Sequence, residues 1–429
     1  MTKRFRLLIC SVCSVAAGVI PMALAGCGAA LSPAIPGSVS AEAFHAPDGR
    51  DAYRTIYAFK KDPRDGSGPN GKLVAIGGVL YGTTYFGGRG HHGDGTVFSV
   101  TTSGEERVLH SFNRGFDGFN PNGGLVAVDG VLYGTTYGGG TGCRQEEERG
   151  CGTVFAITPA GQEHVVYRFK GGTDASSPAA GTLVWLDGRL YGTTSLGGTT
   201  SRCSSGGTGT GCGTVFSVNT SGNERVLYRF RGDGDGGSPN GSLLALNGKL
   251  YGTTYTGGAA GSCDYNCGIL FEVTTSGSEK VLHRFAGGSD GSNPAPGLVS
   301  IDGVLYGTTA YEGGCCGTVF KATTSGAESA IYAFKGPPDA GAPNGMLVAD
   351  HNLLYGTAMS GGEVCGVGYY DSGAIFAVST AGDEQVVHSF SCKSIFAPSA
   401  GLLPLGHAMY GTADEGGGAP QGSVFAFTP

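Results

Sequence analysis

Four times along the chain a cysteine stands directly before a Gly-x-x-Phe phrase, at Cys151, Cys212, Cys267 and Cys316, and each has a second cysteine upstream, at Cys143, Cys203, Cys263 and Cys315. Paired thiols close disulfides or ligate metals. Thiolate metal sites bring histidines or further cysteines at set spacings. No matching histidine spacing accompanies these pairs, so they read as local disulfides that clamp the neck of a loop. Two places depart from the pattern. Adjacent α-carbons lie about 3.8 Å apart across a trans peptide, below the roughly 4.4 Å at which disulfides begin. A bond between Cys315 and Cys316 would therefore be strained and open to redox chemistry. Cys365 has no partner in its own loop, which leaves Cys392 as the remaining candidate.

Carboxylates recur as well. Asp65, Asp117, Asp174, Asp235, Asp290 and Asp339 each stand four residues before a proline, at Pro69, Pro121, Pro178, Pro239, Pro294 and Pro343. An Asx-turn followed by a φ-fixed proline accounts for that spacing. Calcium is the sharper alternative, but one carboxylate per segment falls short of the roughly six to eight oxygens it takes. The expectation is no cofactor and no metal, with calcium as the exception left open. His91 and His92 with Asp94 read as solvated loop residues rather than ligands, and Glu146, Glu147 and Glu148 as a charged loop tip. Aromatic residues gather at Tyr85, Phe86, Tyr137, Tyr255 and Tyr311, with Tyr369 and Tyr370 inside a long loop. Rings with hydroxyls suit flat polar ligands such as sugars; packing on neighbouring loops is the competing reading.

The elements that must hold these residues come from repetition. Tyr-Gly-Thr-Thr/Ala begins at Tyr81, Tyr133, Tyr191, Tyr251, Tyr306, Tyr355 and Tyr410, and Gly-Thr-Val-Phe or a near variant ends at Phe98, Phe155, Phe216, Phe271, Phe320, Phe376 and Phe425. A third phrase, of the form Val-Leu-Tyr-x-Phe, ends at Phe59, Phe112, Phe169, Phe230, Phe285, Phe334 and Phe390. Glycine is 82 of 429 residues, far above the usual ~7%, yet 40% of the chain is hydrophobic and sits in regular runs, which a disordered tract lacks. Each unit holds four strand-like runs rich in β-branched and aromatic residues. Asp129-Gly130 and its counterparts mark a two-residue hairpin between the first two. The expected fold is all-β, a seven-bladed β-propeller of four-stranded antiparallel blades. The recurring glycine of Tyr-Gly-Thr-Thr fits a place where another blade's side chains press on the backbone. The repeats begin with a fourth-strand phrase, Tyr53 to Phe59, and end with a third-strand phrase, Gly422 to Phe427. The N-terminal strand is thus expected to pair in the last blade and close the ring, leaving no open edges there.

The combination LYGTTxxGG, GTVFxVTxxGxExVLYxF and DGxxP resembles the Gloeo/Verruco (GloVer) tandem repeat of bacterial exported proteins, and more distantly kelch-like propellers. That resemblance covers nearly everything from Tyr53 to Pro429. It implies export and attachment at the envelope, and brings no catalytic residues with it. At the other end, Lys3, Arg4 and Arg6 precede an apolar run from Leu7 to Ala23 that ends in Leu24-Ala25-Gly26-Cys27. This resembles a bacterial lipoprotein signal, with an ordinary secretory signal as the competing reading. It implies cleavage before Cys27 and lipidation of its sulfur, and Gly28 after it resembles outer-membrane sorting. The expected organisation is a signal peptide over 1–26, a flexible tether over 27–52 and the propeller over 53–429.

Removing 1–26 takes away three positive charges and moves the formal net charge from -7 to -10, so nucleic acid is an unsuitable partner. A monomer is expected, held to the outer membrane by lipid chains. Its function reads as a binding or scaffold protein presenting a variable-loop face to a glycan or an envelope protein. The alternative is an extracytoplasmic propeller enzyme, a lyase, hydrolase or oxidoreductase acting on polysaccharide. Catalysis needs unlike groups converging on one point, and no unit carries an obvious set, so an enzyme is the lesser reading.

Overall fold

Asp129 and Gly130 both take positive φ, 50° and 78°, which lets a two-residue turn follow the twist of the strands it joins. They connect Val126–Val128 to Val131–Gly138, and Asp187-Gly188, Asn247-Gly248 and Asp302-Gly303 repeat the same conformation. The structure, a computed structural model, describes residues 53–89, 93–113, 117–140, 150–198, 203, 211–232, 234–258, 263, 267–311, 316–362, 372–391, 396–398, 400–415 and 421–429. The expected signal peptide and tether, with Cys27, lie outside them. No helix among the described residues is long and apolar enough to cross a membrane.

The strands form seven antiparallel sheets, each with an inner, second, third and outer position. The expected four positions per blade are present, and the inner one is split in two. In the first blade Gly66–Pro69 and Val74–Ile76 both pair with Val79–Gly87, at its far and near ends. The interruption follows the proline, where the four residues Asn70 to Leu73 stand opposite only Gly82 and Thr83. The proline itself has no N–H for the ladder, and the residue before it takes positive φ, from 50° at Ser238 and Ala342 to 65° at Gly68. That residue's own N–H leaves the sheet and donates to the preceding blade, as from Asn120 to the Asp94 carbonyl at 2.7 Å and from Ser177 to the Cys151 carbonyl at 2.9 Å.

Three devices join each blade to the next. The glycine opening Gly-Thr-Val-Phe has φ between 85° and 100° at all seven positions. A Cβ on it would lie 2.5–2.9 Å from Cδ of the next blade's proline: Pro121 for Gly95, Pro178 for Gly152, and so on to Pro69 for Gly422. The phenylalanine ending each outer strand meets the third-strand phenylalanine of the following blade at 4.9–5.7 Å between ring centroids. Both rings are buried; such pairs add about 0.5–1.5 kcal/mol to their area burial. Nearer the axis, the Thr83 hydroxyl donates to the Gly123 carbonyl at 2.8 Å and Thr193 to Gly241 at 2.9 Å.

The last and first blades meet through the same devices. Arg54–Ala58 pairs antiparallel with Ser423–Phe427 and supplies the outer strand of the last sheet. Phe59 packs on Phe98, the Gly68 N–H donates to the Gln421 carbonyl at 2.9 Å, and Thr412 reaches the Gly71 carbonyl at 3.4 Å. The glycine of Tyr-Gly-Thr-Thr, however, answers to its own blade. A Cβ on Gly82 would meet Phe98 Cζ at 2.7 Å and Leu73 Cδ2 at 2.8 Å, both from the same sheet. Gly82 stands directly opposite Phe98 in the ladder, and the ring folds over it.

Candidate functional site

The second strand of a blade runs out from the buried Thr-Thr pair toward the long loop, and neighbouring residues at its end point to opposite sides of the sheet. Tyr85 and Tyr137 are half-buried there. Tyr255 and Tyr311 are 37% and 49% exposed. The four large apolar side chains exposed among the described residues are Phe86, Tyr255, Tyr311 and Met359, and all four sit at the end of a second strand. Met359 escaped the sequence reading because it breaks the aromatic pattern. The next blade steadies this row: Asn120 Nδ2 donates to the Tyr85 carbonyl at 2.8 Å and Asn293 Nδ2 to that of Tyr255 at 2.9 Å. Tyr369 and Tyr370 lie outside the described residues, as do His91 and His92.

Beneath two of the loops sit disulfides, Cys203–Cys212 and Cys263–Cys267, with α-carbons 5.0 and 5.6 Å apart. Loops this short gain about 2–3 kcal/mol from closure in the chain-entropy account. Cys151 and Cys316 are also disulfide-bonded; Cys143, Cys315, Cys365 and Cys392 lie outside the described residues. The carbonyls of Cys212, Cys267 and Cys316 accept the N–H groups of Ser238, Asn293 and Ala342 at 2.7–2.8 Å. One cysteine of each loop is therefore pinned to the seam between blades.

A second constellation lies at the outer wall between neighbouring blades. Two residues before the outer-strand phenylalanine stands a tyrosine or histidine whose polar tip meets the link aspartate seven or eight residues on. The contacts are Tyr57–Asp65, His110–Asp117, Tyr167–Asp174, Tyr228–Asp235, His283–Asp290 and Tyr332–Asp339, at 2.7–3.1 Å. Asp65, Asp174, Asp235, Asp290 and Asp339 also accept a backbone N–H from their own links, as Asp290 does from Ala286 at 2.7 Å, so the expected turn role is present. It is not the whole arrangement. The following blade adds a glutamate from the start of its outer strand: Glu106, Glu163, Glu224, Glu279, Glu328 and Glu384 in turn. In all six the Oε1 atom is buried with no hydrogen-bond partner. Burial first, and the neighbouring aspartate carboxylate as a further cause, push Glu106, Glu224, Glu279 and Glu384 up to about 7.

Sequence reasoning missed these glutamates, although the signal was present. A glutamate six residues before each of these phenylalanines recurs at the same period as the aspartate, and only the fold brings the two from different blades to one point. The seventh seam has neither at the corresponding sequence positions. Tyr53 takes the glutamate's place, stacks on His388 with centroids 4.4 Å apart and packs on Phe390 and Phe425.

A profile of the Gloeobacter/Verrucomicrobia repeat matches residues 44–204 and 201–425 of the chain. Curated proteins give no match. Among solved structures the chain is similar to a computationally designed protein, at 13% identity and a TM-score of 0.47 over 88% of this chain and 100% of that one. It is similar to the β-propeller domain of the Trilobed protease from Pyrococcus furiosus, at 9% identity and 0.44 over 84% and 95%. A gluconolactonase from Xanthomonas campestris gives 13% identity and 0.36 over 70% and 90%. The seven-bladed architecture rests on the strand pairing itself.

Proposed function

The chain belongs to the Gloeobacter/Verrucomicrobia repeat family, and on that premise we propose that it is a binding or scaffold protein of the bacterial envelope whose long-loop face takes a glycan or protein ligand. The observation that carries this reading is the placement of Phe86, Tyr255, Tyr311 and Met359, each exposed and each at the end of a second strand. Exposed rings on a rigid scaffold offer flat apolar area beside a polar hydroxyl, which suits the faces of sugar rings. The disulfides support the same reading, since they hold the loop necks to the blade seams and leave the loop tips free to vary.

Binding to a glycan array, repeated with Tyr255→Ala and Tyr311→Ala, tests this face. Loss of at least about tenfold in affinity with unchanged Tm is expected if the rings are anchors; binding that survives both changes removes the face from consideration. Attachment through lipid on Cys27 is part of the same proposal. Cys27→Ala is expected to release the protein from the membrane fraction, and retention there rejects the anchor.

A further inference from the structure

The six carboxylate seams differ in how their charge is balanced. Where the outer-strand residue is tyrosine, a basic residue follows the phenylalanine directly: Lys60, Lys170, Arg231 and Lys335. The three lysines lie over the tyrosine rings at 5.7–5.8 Å, and Arg231 reaches Asp235 at 3.4 Å. Where the residue is histidine, that position holds Asn113 or Ala286. Burial raises the neighbouring glutamate in every seam, and in three of them a second basic residue, one before the phenylalanine of the next outer strand, offsets part of that rise: Arg168, Arg229 and Arg284. The seam between the fourth and fifth blades has alanine at both places, Ala286 and Ala333. It is the one of the six with two carboxylates and no lysine or arginine at either position.

His283, Asp290 and Glu328 meet there. His283 Nε2 is 3.0 Å from Asp290 Oδ1 and 3.5 Å from Glu328 Oε2, and the ligand atoms of all three lie within 4.8 Å of one another. Tetrahedral coordination at zinc bond lengths of about 2.0–2.2 Å places donors roughly 3.3–3.6 Å apart, close to the 3.0 and 3.5 Å that separate His283 Nε2 from the two carboxylates. The Glu328 side chain is 5% exposed, and its Oε1 has no hydrogen-bond partner. His283 and Asp290 keep side-chain exposures of 22% and 21%, which leaves a path from solvent.

We propose that this seam is a divalent transition-metal site of the zinc type, with His283 Nε2, Asp290 and Glu328 as protein ligands and water completing the shell. One neutral imidazole and two carboxylates form a donor set suited to such an ion, and its two positive charges balance the carboxylates as lysine or arginine does elsewhere. His110, Asp117 and Glu163 form the counterpart between the first and second blades. That site is weaker, because the positive charge of Arg168 already acts on Glu163 and opposes a bound dication. A bound ion would tie the link of one blade to the outer strand of the next.

The test is calorimetric titration of untagged, chelator-dialysed protein with zinc at neutral pH, with cobalt absorption as a spectroscopic check on coordination. Saturable binding is expected, weakened about 100-fold or more in Glu328→Gln and unchanged in Glu384→Gln, which alters a tyrosine seam. His283→Tyr combined with Ala286→Lys converts the seam to the type found at four others. This variant is expected to fold and to lose the tighter zinc. Absence of saturable zinc, or a tighter zinc site that survives either seam variant, overturns the proposal. So does a seam that responds only to pH, because a proton on His283 then supplies the charge alone.

Discussion

Six seams between blades carry an aspartate from the link and a glutamate from the next outer strand, and the seventh, between the sixth and seventh blades, has neither at the corresponding sequence positions. There Ile395 stands seven residues after His388, where an aspartate would fall, and Tyr53 replaces the glutamate. Both acids are lost together, which teaches that the two are one device. A glutamate alone would face a buried site with no one to share its charge or proton, and an unpaired buried charge is costly. The seventh seam instead closes with stacked rings. Polar and apolar solutions thus hold the same junction in one molecule.

The largest effect should come from the apolar seam. Tyr53→Ala removes the partly buried ring that stacks on His388 and packs on Phe390 and Phe425, and is expected to cost about 2–4 kcal/mol in denaturant unfolding. A loss below about 1 kcal/mol would mean that the first strand's backbone pairing, not the ring, holds the closure. Next comes a device shared by every seam. Gly268→Ala forces φ of 85° on an L-residue and sets a methyl against the Thr254 carbonyl of its own blade and 2.6 Å from Pro294 Cδ of the next, with an expected cost of about 1–3 kcal/mol. Gly248→Ala, at φ 72° with open space around it, is the control and should cost less; equal losses would leave the proline contact without a role.

The smallest effect belongs to the polar seams and depends on pH. Glu384 titrates near 7 when folded, raised mainly by burial and then by Asp339, against about 4.3 in an unfolded chain. The folded state holds the extra proton between those values, so stability falls as pH rises from about 4.3 to 7 and stays at its lower level above that. Glu384→Gln should flatten this slope and raise Tm above pH 7. The change is about 1 kcal/mol or less, because solvent screens a half-buried group. Tyr53→Phe at the acid-free seam should leave the slope untouched. A slope unchanged in Glu384→Gln would show that the carboxylate pair does not titrate in this window.

Much of the ring was legible in the sequence because each blade repeats the same local instructions. Asp129-Gly130 signals its hairpin through the backbone conformations it tolerates, and the order of the terminal phrases tells that Arg54–Ala58 must pair with the last strand. What the sequence hid is whatever depends on contact between units. Pro121 reads as turn chemistry until it is seen against Gly95. The glycine of Tyr-Gly-Thr-Thr reads as a contact with another blade, and only strand register shows that Phe98 of its own sheet covers Gly82. The pairing of Asp290 with Glu328 joins residues of different blades, and no spacing within one unit reports it. On the long-loop face, Tyr255 and Tyr311 were found by residue type alone, whereas Met359 needed its exposure to be known.

The contact of Gly422 with Pro69 repeats, between the two extremities of the chain, what Gly95 makes with Pro121 a single unit apart. At this contact the closing junction is equivalent to every other, so a propeller cut at another link and joined there would keep the same glycine-on-proline seam.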